Sequence, residues 1–161
     1  MADAKTIAAL REALDDEYKA RATYRKIVEV FGPVRPFANI VEAEDRHVRA
    51  LMRQFDRLGL KPPVDTWPTR VTAPRSLTEA CEDAVQAEID NAAMYERLIA
   101  QTSDATVHRT MRRLAEASQQ RHLPAFKRCL SRTAPGSGAG GPGRGRRQAH
   151  VRRPSRTTST V

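Results

Sequence analysis

The chain has 161 residues, which suits one domain of ordinary size with a buried core. Its net charge of +9 comes mostly from the C-terminal end, because seven of the 28 basic residues and none of the 19 acidic residues lie at or after Arg132. Two cysteines are too few for a disulfide framework, and no run approaches the roughly 20 apolar residues of a membrane span. The N-terminal segment lacks the basic start and apolar core of a signal peptide, so we expect a cytoplasmic protein.

The first half of the chain has the pattern of two helices. Apolar residues recur every three or four positions across residues 5–30, and Gly32 with Pro33 ends that segment. A second apolar stripe covers residues 36–58, and Gly59 is a natural C-terminal stop.

The second half predicts two more helices after a connector. Residues 60–75 contain four prolines and no sustained periodicity. The capping box Ser76-Leu77-Thr78-Glu79 then starts a third helix, which we expect to reach about Gln101. A fourth should cover residues 105–130, with Pro124 interrupting its register. Four helices of about 25 residues, each about 37 Å long, predict an all-α four-helix bundle.

The C-terminal segment has a different composition from the rest of the chain. Residues 132–161 are rich in Gly, Pro, Ser and Arg and almost free of large apolar side chains. Such a segment cannot bury enough surface to offset its ordering entropy. We predict a helical domain over residues 1–131 and a disordered basic tail over 132–161. The tail is either a nucleic-acid or anionic-surface contact, through counterion release, or a solvated segment without a dedicated partner.

A repeated pattern is the most informative feature of the predicted bundle. Residues 17–24 read EYKARATY and residues 88–95 read EIDNAAMY, so a Glu is followed seven residues later by a Tyr in both. Downstream, EDRHVRALMR at 44–53 corresponds to QQRHLPAFKR at 119–128. A lone Glu on one helix and Glu-x-x-His on the next, present twice, is what a four-helix di-metal carboxylate site requires.

The residue types in this pattern suit metal ions. Glu44 and His47 lie three residues apart, so both can face one point from the same helix. A carboxylate and an imidazole together make a good ligand pair for a first-row metal. Glu17, Glu88 and His122 occupy the matching positions on the other helices. For any one Glu considered alone, a solvated helix face is the competing interpretation.

Several stretches resemble the ferritin-like superfamily, the rubrerythrin and ferritin type of di-metal bundle. They are also similar to a bacterial ferritin-like family known by a domain-of-unknown-function label. The likeness covers roughly residues 5–131. The stretches that carry it are DEYKARATY (16–24), FANIVEAEDRHVRALM (37–52), AEIDNA (87–92) and RHLPAF (121–126).

The resemblance implies a binding site for two iron ions, with manganese as the alternative metal, and redox chemistry with oxygen or peroxide. An oxidase or peroxidase activity is one form that this chemistry would take. The implied metal positions are Glu17, Glu44, His47, Glu88, His122 and Gln119. Gln119 departs from the pattern, because its amide replaces a carboxylate. Three Glu leave one positive charge on two divalent ions, so one ion instead of two stays an alternative.

The same departure motivates a second function. Gln119 and the nearby Pro124 are compatible with a bundle that has lost competent metal chemistry and serves as a structural or interaction module. A single bundle and a homo-oligomer would have the same sequence pattern, so both stay alternatives for the oligomeric state.

Two further residue pairs have alternative interpretations. Tyr24 and Tyr95 follow the repeated Glu by two helical turns, either as partners of the metal ligands or as core aromatics with a satisfied hydroxyl. Cys81 and Cys129 lie at equal offsets from Glu88 and His122, so a disulfide is geometrically feasible. For a cytoplasmic protein we expect buried thiols instead.

Overall fold

A computed structural model describes residues 2–134, and every regular element within that range is a helix. The first three long helices are α1 (Ala4–Phe31), α2 (Phe37–Leu58) and α3 (Leu77–Gln101), with a short 3₁₀ turn, Trp67–Thr69, in the connector. The fourth consists of α4 (Ala105–Ala117), a π-helical turn (Ser118–His122) and α5 (Leu123–Thr133). The predicted all-α four-helix bundle is confirmed.

Short polar caps explain where the helices begin. The carboxylate of Asp3 accepts hydrogen bonds from two amides of the first turn of α1, and Asp104 does the same for α4. Ser76 accepts the amide of Glu79, as the capping box predicts. At the end of α2, Gly59 has φ of 64°, a left-handed conformation that glycine adopts without steric cost.

The π turn keeps one face of the fourth helix directed at the core. Leu114, Ser118, His122 and Phe126 are all buried, at successive steps of four residues. On a regular α-helix each such step overshoots a full turn by about 40°, so the face would drift away from the core. A wider π turn absorbs this rotation. The predicted interruption at Pro124 therefore takes the form of a π turn that ends two residues before it.

Two apolar clusters divide the bundle into halves and show how the helices run. The first includes Leu10, Leu14, Leu51, Phe55, Leu98 and Met111. The second includes Tyr24, Ile27, Phe37, Ala84 and Phe126. Helix α1 and the fourth helix run from the first cluster to the second, whereas α2 and α3 run the opposite way. The connector between α2 and α3 therefore crosses the length of the bundle, as in four-helix bundles with one long crossover connection.

The connector is attached to α1 by polar contacts. The indole Nε1 of Trp67 donates a hydrogen bond to Asp15 Oδ1 at 2.9 Å. Arg21 forms an ion pair with Asp65 at 2.9 Å. The guanidinium of Arg70 lies 3.8 Å from the centroid of the Trp67 ring. These contacts hold the crossover along the outside of α1.

The expectation of buried thiols is wrong. Cys81 of α3 and Cys129 of α5 form a disulfide, with Cα atoms 5.9 Å apart and a sequence separation of 48. Both residues lie at the same level of adjacent helices inside the second apolar cluster. The thiol expectation depended on an assumed compartment, whereas the helix packing brings the two side chains into bonding distance.

Some sequence predictions concern residues that the structure does not cover. The predicted tail lies, apart from residues 132–134, outside the described residues. Within residues 2–134, no helix is long and apolar enough to cross a membrane.

Candidate metal centre

A cluster of five buried ionisable side chains lies between the two apolar clusters. The three glutamates Glu17, Glu44 and Glu88 are 1%, 2% and 4% exposed. The histidines His47 and His122 are 6% and 3% exposed. Every one of the four helices contributes at least one of them. Buried charged groups are costly unless they are paired or bind metal, so this cluster needs a specific explanation.

Glu44 connects the two histidines. Its Oε2 lies 3.1 Å from Nδ1 of His47, and its Oε1 lies 3.1 Å from Nδ1 of His122. The two imidazole rings are nearly parallel, with an interplanar angle of 17° and centroids 5.3 Å apart. Glu44 thus presents one carboxylate oxygen to each side of a near-symmetric arrangement.

The remaining glutamates complete two sets of three possible ligands. Glu17 Oε2 lies 3.2 Å from Nδ1 of His47, and Glu88 Oε1 lies 3.6 Å from Nδ1 of His122. In each set, one carboxylate or imidazole atom per residue lies within 4.8 Å of the others, and Glu44 belongs to both sets. The cluster could therefore hold a metal ion. The structure brings together five of the six predicted metal positions, and their role as ligands stays a prediction.

The two tyrosines of the repeat hold the outer glutamates in place. The hydroxyl of Tyr24 donates a hydrogen bond to Glu88 Oε1 at 3.1 Å, and that of Tyr95 donates to Glu17 Oε1 at 2.6 Å. Burial and the neighbouring carboxylates raise the pKa of both tyrosines well above its usual value. Both hydroxyls therefore keep their protons and stay donors. The two interpretations of these residues combine: they are core aromatics and partners of the glutamates.

The glutamates of the cluster have opposite protonation tendencies. Burial, together with the charge of Glu44, raises the pKa of Glu17 to about 8, although His47 partly opposes this. Burial also acts to raise the pKa of Glu44, but the two imidazoles outweigh it, and the pKa of Glu44 falls well below its usual value. Of these two residues, Glu44 is charged at neutral pH and Glu17 holds a proton.

The histidines are basic because carboxylates surround them. Burial lowers the pKa of His47, but Glu17 and Glu44 outweigh it and raise that pKa to about 10. Glu44 and Glu88 similarly overcome burial and raise the pKa of His122 to about 9. Both imidazoles are therefore protonated at neutral pH in the absence of metal. Binding of a metal ion would release these protons, because only a neutral imidazole is a ligand.

One nitrogen of the cluster lacks a hydrogen bond. Nδ1 of His122 is buried and, within residues 2–134, makes no hydrogen bond of acceptable geometry, despite its proximity to Glu44. A buried polar atom without a partner is destabilising. Coordination of a metal ion at this nitrogen would satisfy it. The residues present thus fit a metal ion.

Gln119 is the predicted metal position that the structure does not bring into either set. Its side-chain Nε2 donates a hydrogen bond to the main-chain carbonyl of Glu88 at 3.0 Å. The amide, unlike a carboxylate, can donate, and the carbonyl on the adjacent helix is its partner. Because Glu44 serves both sets, each still contains two carboxylates and one imidazole without Gln119.

Two polar residues beside the cluster are absent from the sequence predictions. Nδ2 of Asn91 donates a hydrogen bond to Asp16 Oδ2 at 2.8 Å across α1 and α3. Desolvation by burial raises the pKa of Asp16. The signal that could have identified Asn91 is its position three residues after Glu88, on the same helix face. Asp16 precedes Glu17 directly and carried no separate signal.

Comparisons with known proteins show the fold and leave the function open. No protein-family model matches the chain, and no curated protein matches it. A crystal structure of a hypothetical protein from Methanococcus jannaschii is similar, with a TM-score of 0.69 and 22% sequence identity over 77% of this chain and 78% of that one. At this identity the similarity shows a shared fold alone. Fold and site together define a four-helix bundle with a buried carboxylate–imidazole cluster able to hold metal.

Proposed function

We propose that this protein is a ferritin-like di-metal carboxylate protein. It binds two first-row divalent ions, with iron as the favoured metal and manganese as the alternative. The observation that carries the proposal is the position of Glu44, with one oxygen 3.1 Å from each of two buried histidines. A shared carboxylate between two imidazole-containing sets is the arrangement expected for a pair of ions. Carboxylates and imidazoles are ligands that iron and manganese accept.

The chemistry of the site would be redox chemistry with oxygen or peroxide, as in an oxidase or peroxidase. Redox-active ions, when bound by the glutamates and histidines of the cluster, would be the source of electrons for the oxidant. Apolar clusters flank the site on both sides along the bundle. Tyr24 and Tyr95 orient Glu88 and Glu17 through their hydroxyl hydrogen bonds. Outer partners of this kind commonly fix the geometry of metal ligands.

Metal content per chain after anaerobic loading with Fe(II) tests the proposal. We expect about two ions per chain in the wild type, since two sets of ligands share one carboxylate. Glu44→Ala should lose both ions. Glu42→Ala is the matched control, because Glu42 is an exposed glutamate of the same helix. One ion per chain would restrict the proposal to a single set, and no bound metal in the wild type would refute it.

A bundle without metal chemistry, acting as a structural or interaction module, is the second candidate. Gln119 favours it, because this residue uses its amide in a hydrogen bond to the Glu88 carbonyl. The two candidates differ in their response to Gln119→Glu. An added carboxylate should strengthen binding of the second ion in a metal protein. If the wild type binds no metal and Gln119→Glu binds none either, the result would support the module.

The basic composition of segment 132–161 is the basis of a separate proposal, that this segment binds nucleic acid or another anionic surface. Binding to nucleic acid or another anionic surface would weaken steeply with salt, because each neutralised phosphate releases counterions. Deletion of residues 132–161 should abolish it. Retained binding by the truncated protein would reject the proposal. Assembly into a homo-oligomer also stays a prediction.

A further inference from the structure

A cleft of about 500 Å³ between α1 and α3 reaches the cluster from the protein surface. Glu17, Glu44 and Glu88 line its inner part, and the exposed Asp83 and Asp90 line its outer part. Residues 72–75 of the connector form one edge. The space exists because alanines form much of its wall, and their short side chains leave room between the helices. The alanines on these two helices are Ala20, Ala80, Ala84 and Ala87.

The cleft is strongly acidic. Seven acidic residues line it, against two basic ones, Lys19 and Arg75. Arg75 is paired with Glu79 at 3.0 Å, so these two charges cancel, and six acidic residues stand against Lys19 alone. Residues 1–131 are nearly balanced overall, with 21 basic and 19 acidic groups. The acidic charge is therefore local, and a cleft lined by one sign of charge raises the local concentration of ions of the opposite sign.

Asn91, which lines the cleft, has a buried side-chain oxygen without a partner among the described residues. Asn91 is 8% exposed and its Oδ1 is buried with no hydrogen-bond partner in the part of the chain that the structure describes. Its Nδ2 is held by Asp16 Oδ2 at 2.8 Å, which fixes the orientation of the amide. Both residues line the cleft. An amide oxygen beside a carboxylate is a ligand set for a hard divalent cation that keeps part of its water shell.

We propose that Asp16 and Asn91 form a second binding site, which holds a hydrated divalent cation in the cleft and passes it to the cluster. This inference rests on the proposed function of the cluster. Asp16 is close enough to Glu44 and Glu88 for their charges to interact.

The first test measures the rate at which Co²⁺ enters the metal-free full-length protein, followed by its visible absorption in a stopped-flow instrument. Asp16→Asn and Asn91→Leu each remove part of the second site and leave the five cluster residues intact. We expect slower entry at low ionic strength in both variants, by about tenfold in Asp16→Asn, which removes a charge, within the range of electrostatic steering. The number of tightly bound ions that stay with the chain through gel filtration should be the same as in the wild type. Glu29→Gln is the control, because it removes one exposed charge of α1 outside the cleft.

The second test measures binding at the new site directly. Glu44→Gln removes the carboxylate shared by both sets, and Mn²⁺ binding to this variant is followed by water proton relaxation. We expect one weakly bound Mn²⁺ per chain in Glu44→Gln and none in the double variant with Asp16→Asn. Far-UV circular dichroism of each variant reports whether the bundle is folded.

The outcomes separate the two proposals. A wild type that takes up no Co²⁺ at equilibrium refutes the proposed function and this inference with it. A wild type that binds Co²⁺ while Asp16→Asn and Asn91→Leu fill at the wild-type rate overturns the inference alone. Loss of tightly bound ions in folded Asp16→Asn would also overturn it, because Asp16 would then belong to the cluster itself.

Discussion

Replacement of Glu44 by Gln tests whether the metal-free cluster is held together by charge. Glu44 lies 3.1 Å from a ring nitrogen of each of two histidines whose pKa values are raised to about 10 and about 9. One such charge pair attracts by about 5 kcal/mol at an effective dielectric constant of about 20, before the cost of desolvation. Removal of one partner of a buried ion pair typically costs about 3–5 kcal/mol. We therefore expect Glu44→Gln to lower the free energy of unfolding by about 4 kcal/mol at pH 7.

Urea denaturation of the EDTA-treated proteins, followed by far-UV circular dichroism, gives the difference between wild type and Glu44→Gln. The matched control is Glu42→Gln, which changes an exposed glutamate of the same helix and should leave stability almost unaffected. NMR titration should show the pKa values of His47 and His122 moving down in Glu44→Gln. Equal unfolding midpoints for wild type and Glu44→Gln at pH 7, with unchanged histidine titrations, would contradict the reasoning.

Three further predictions follow from the same geometry. Glu17→Gln should lose the ion of the His47 set and keep the other, and Glu88→Gln should lose the ion of the His122 set. Metal analysis checks this, and loss of both ions in either variant would contradict two separable sets. The metal-free protein should lose stability as pH rises through about 9 and 10, because the folded state holds the protons of His47 and His122 more tightly than the unfolded chain. That stabilisation is complete below pH 6.5, and urea midpoints that stay constant from pH 7 to pH 10 would refute it. Reduction of the disulfide between α3 and α5, which spans 48 residues, should lower the free energy of unfolding by about 4 kcal/mol on the loop-entropy estimate. Denaturation with and without reductant measures this, and unchanged midpoints would show that the link adds no stability.

Much of the fold was predictable because its signals are local. The predicted helix limits agree with the structure within a few residues, since a capping serine, a terminal glycine and a 3.6-residue periodicity each act over one or two turns. The repeat of Glu17 and Glu88, with His47 and His122 downstream, also placed the polar positions at the middle of each helix. The prediction for Gln119 shows the limit of this reasoning. A match to a repeat does not reveal which group a side-chain amide will hydrogen-bond, and here that group is the main-chain carbonyl of Glu88.

The sequence by itself determined the four helices, their apolar faces and the five polar residues that interrupt those faces. Only the tertiary structure decided that Glu44 also contacts His122, that two cysteines bond, and that Asp16 and Asn91 meet in the wall of a cleft. The physical reason is one of range. Helix formation depends on neighbours three or four residues away, whereas these contacts join residues far apart in the chain and depend on how the helices pack.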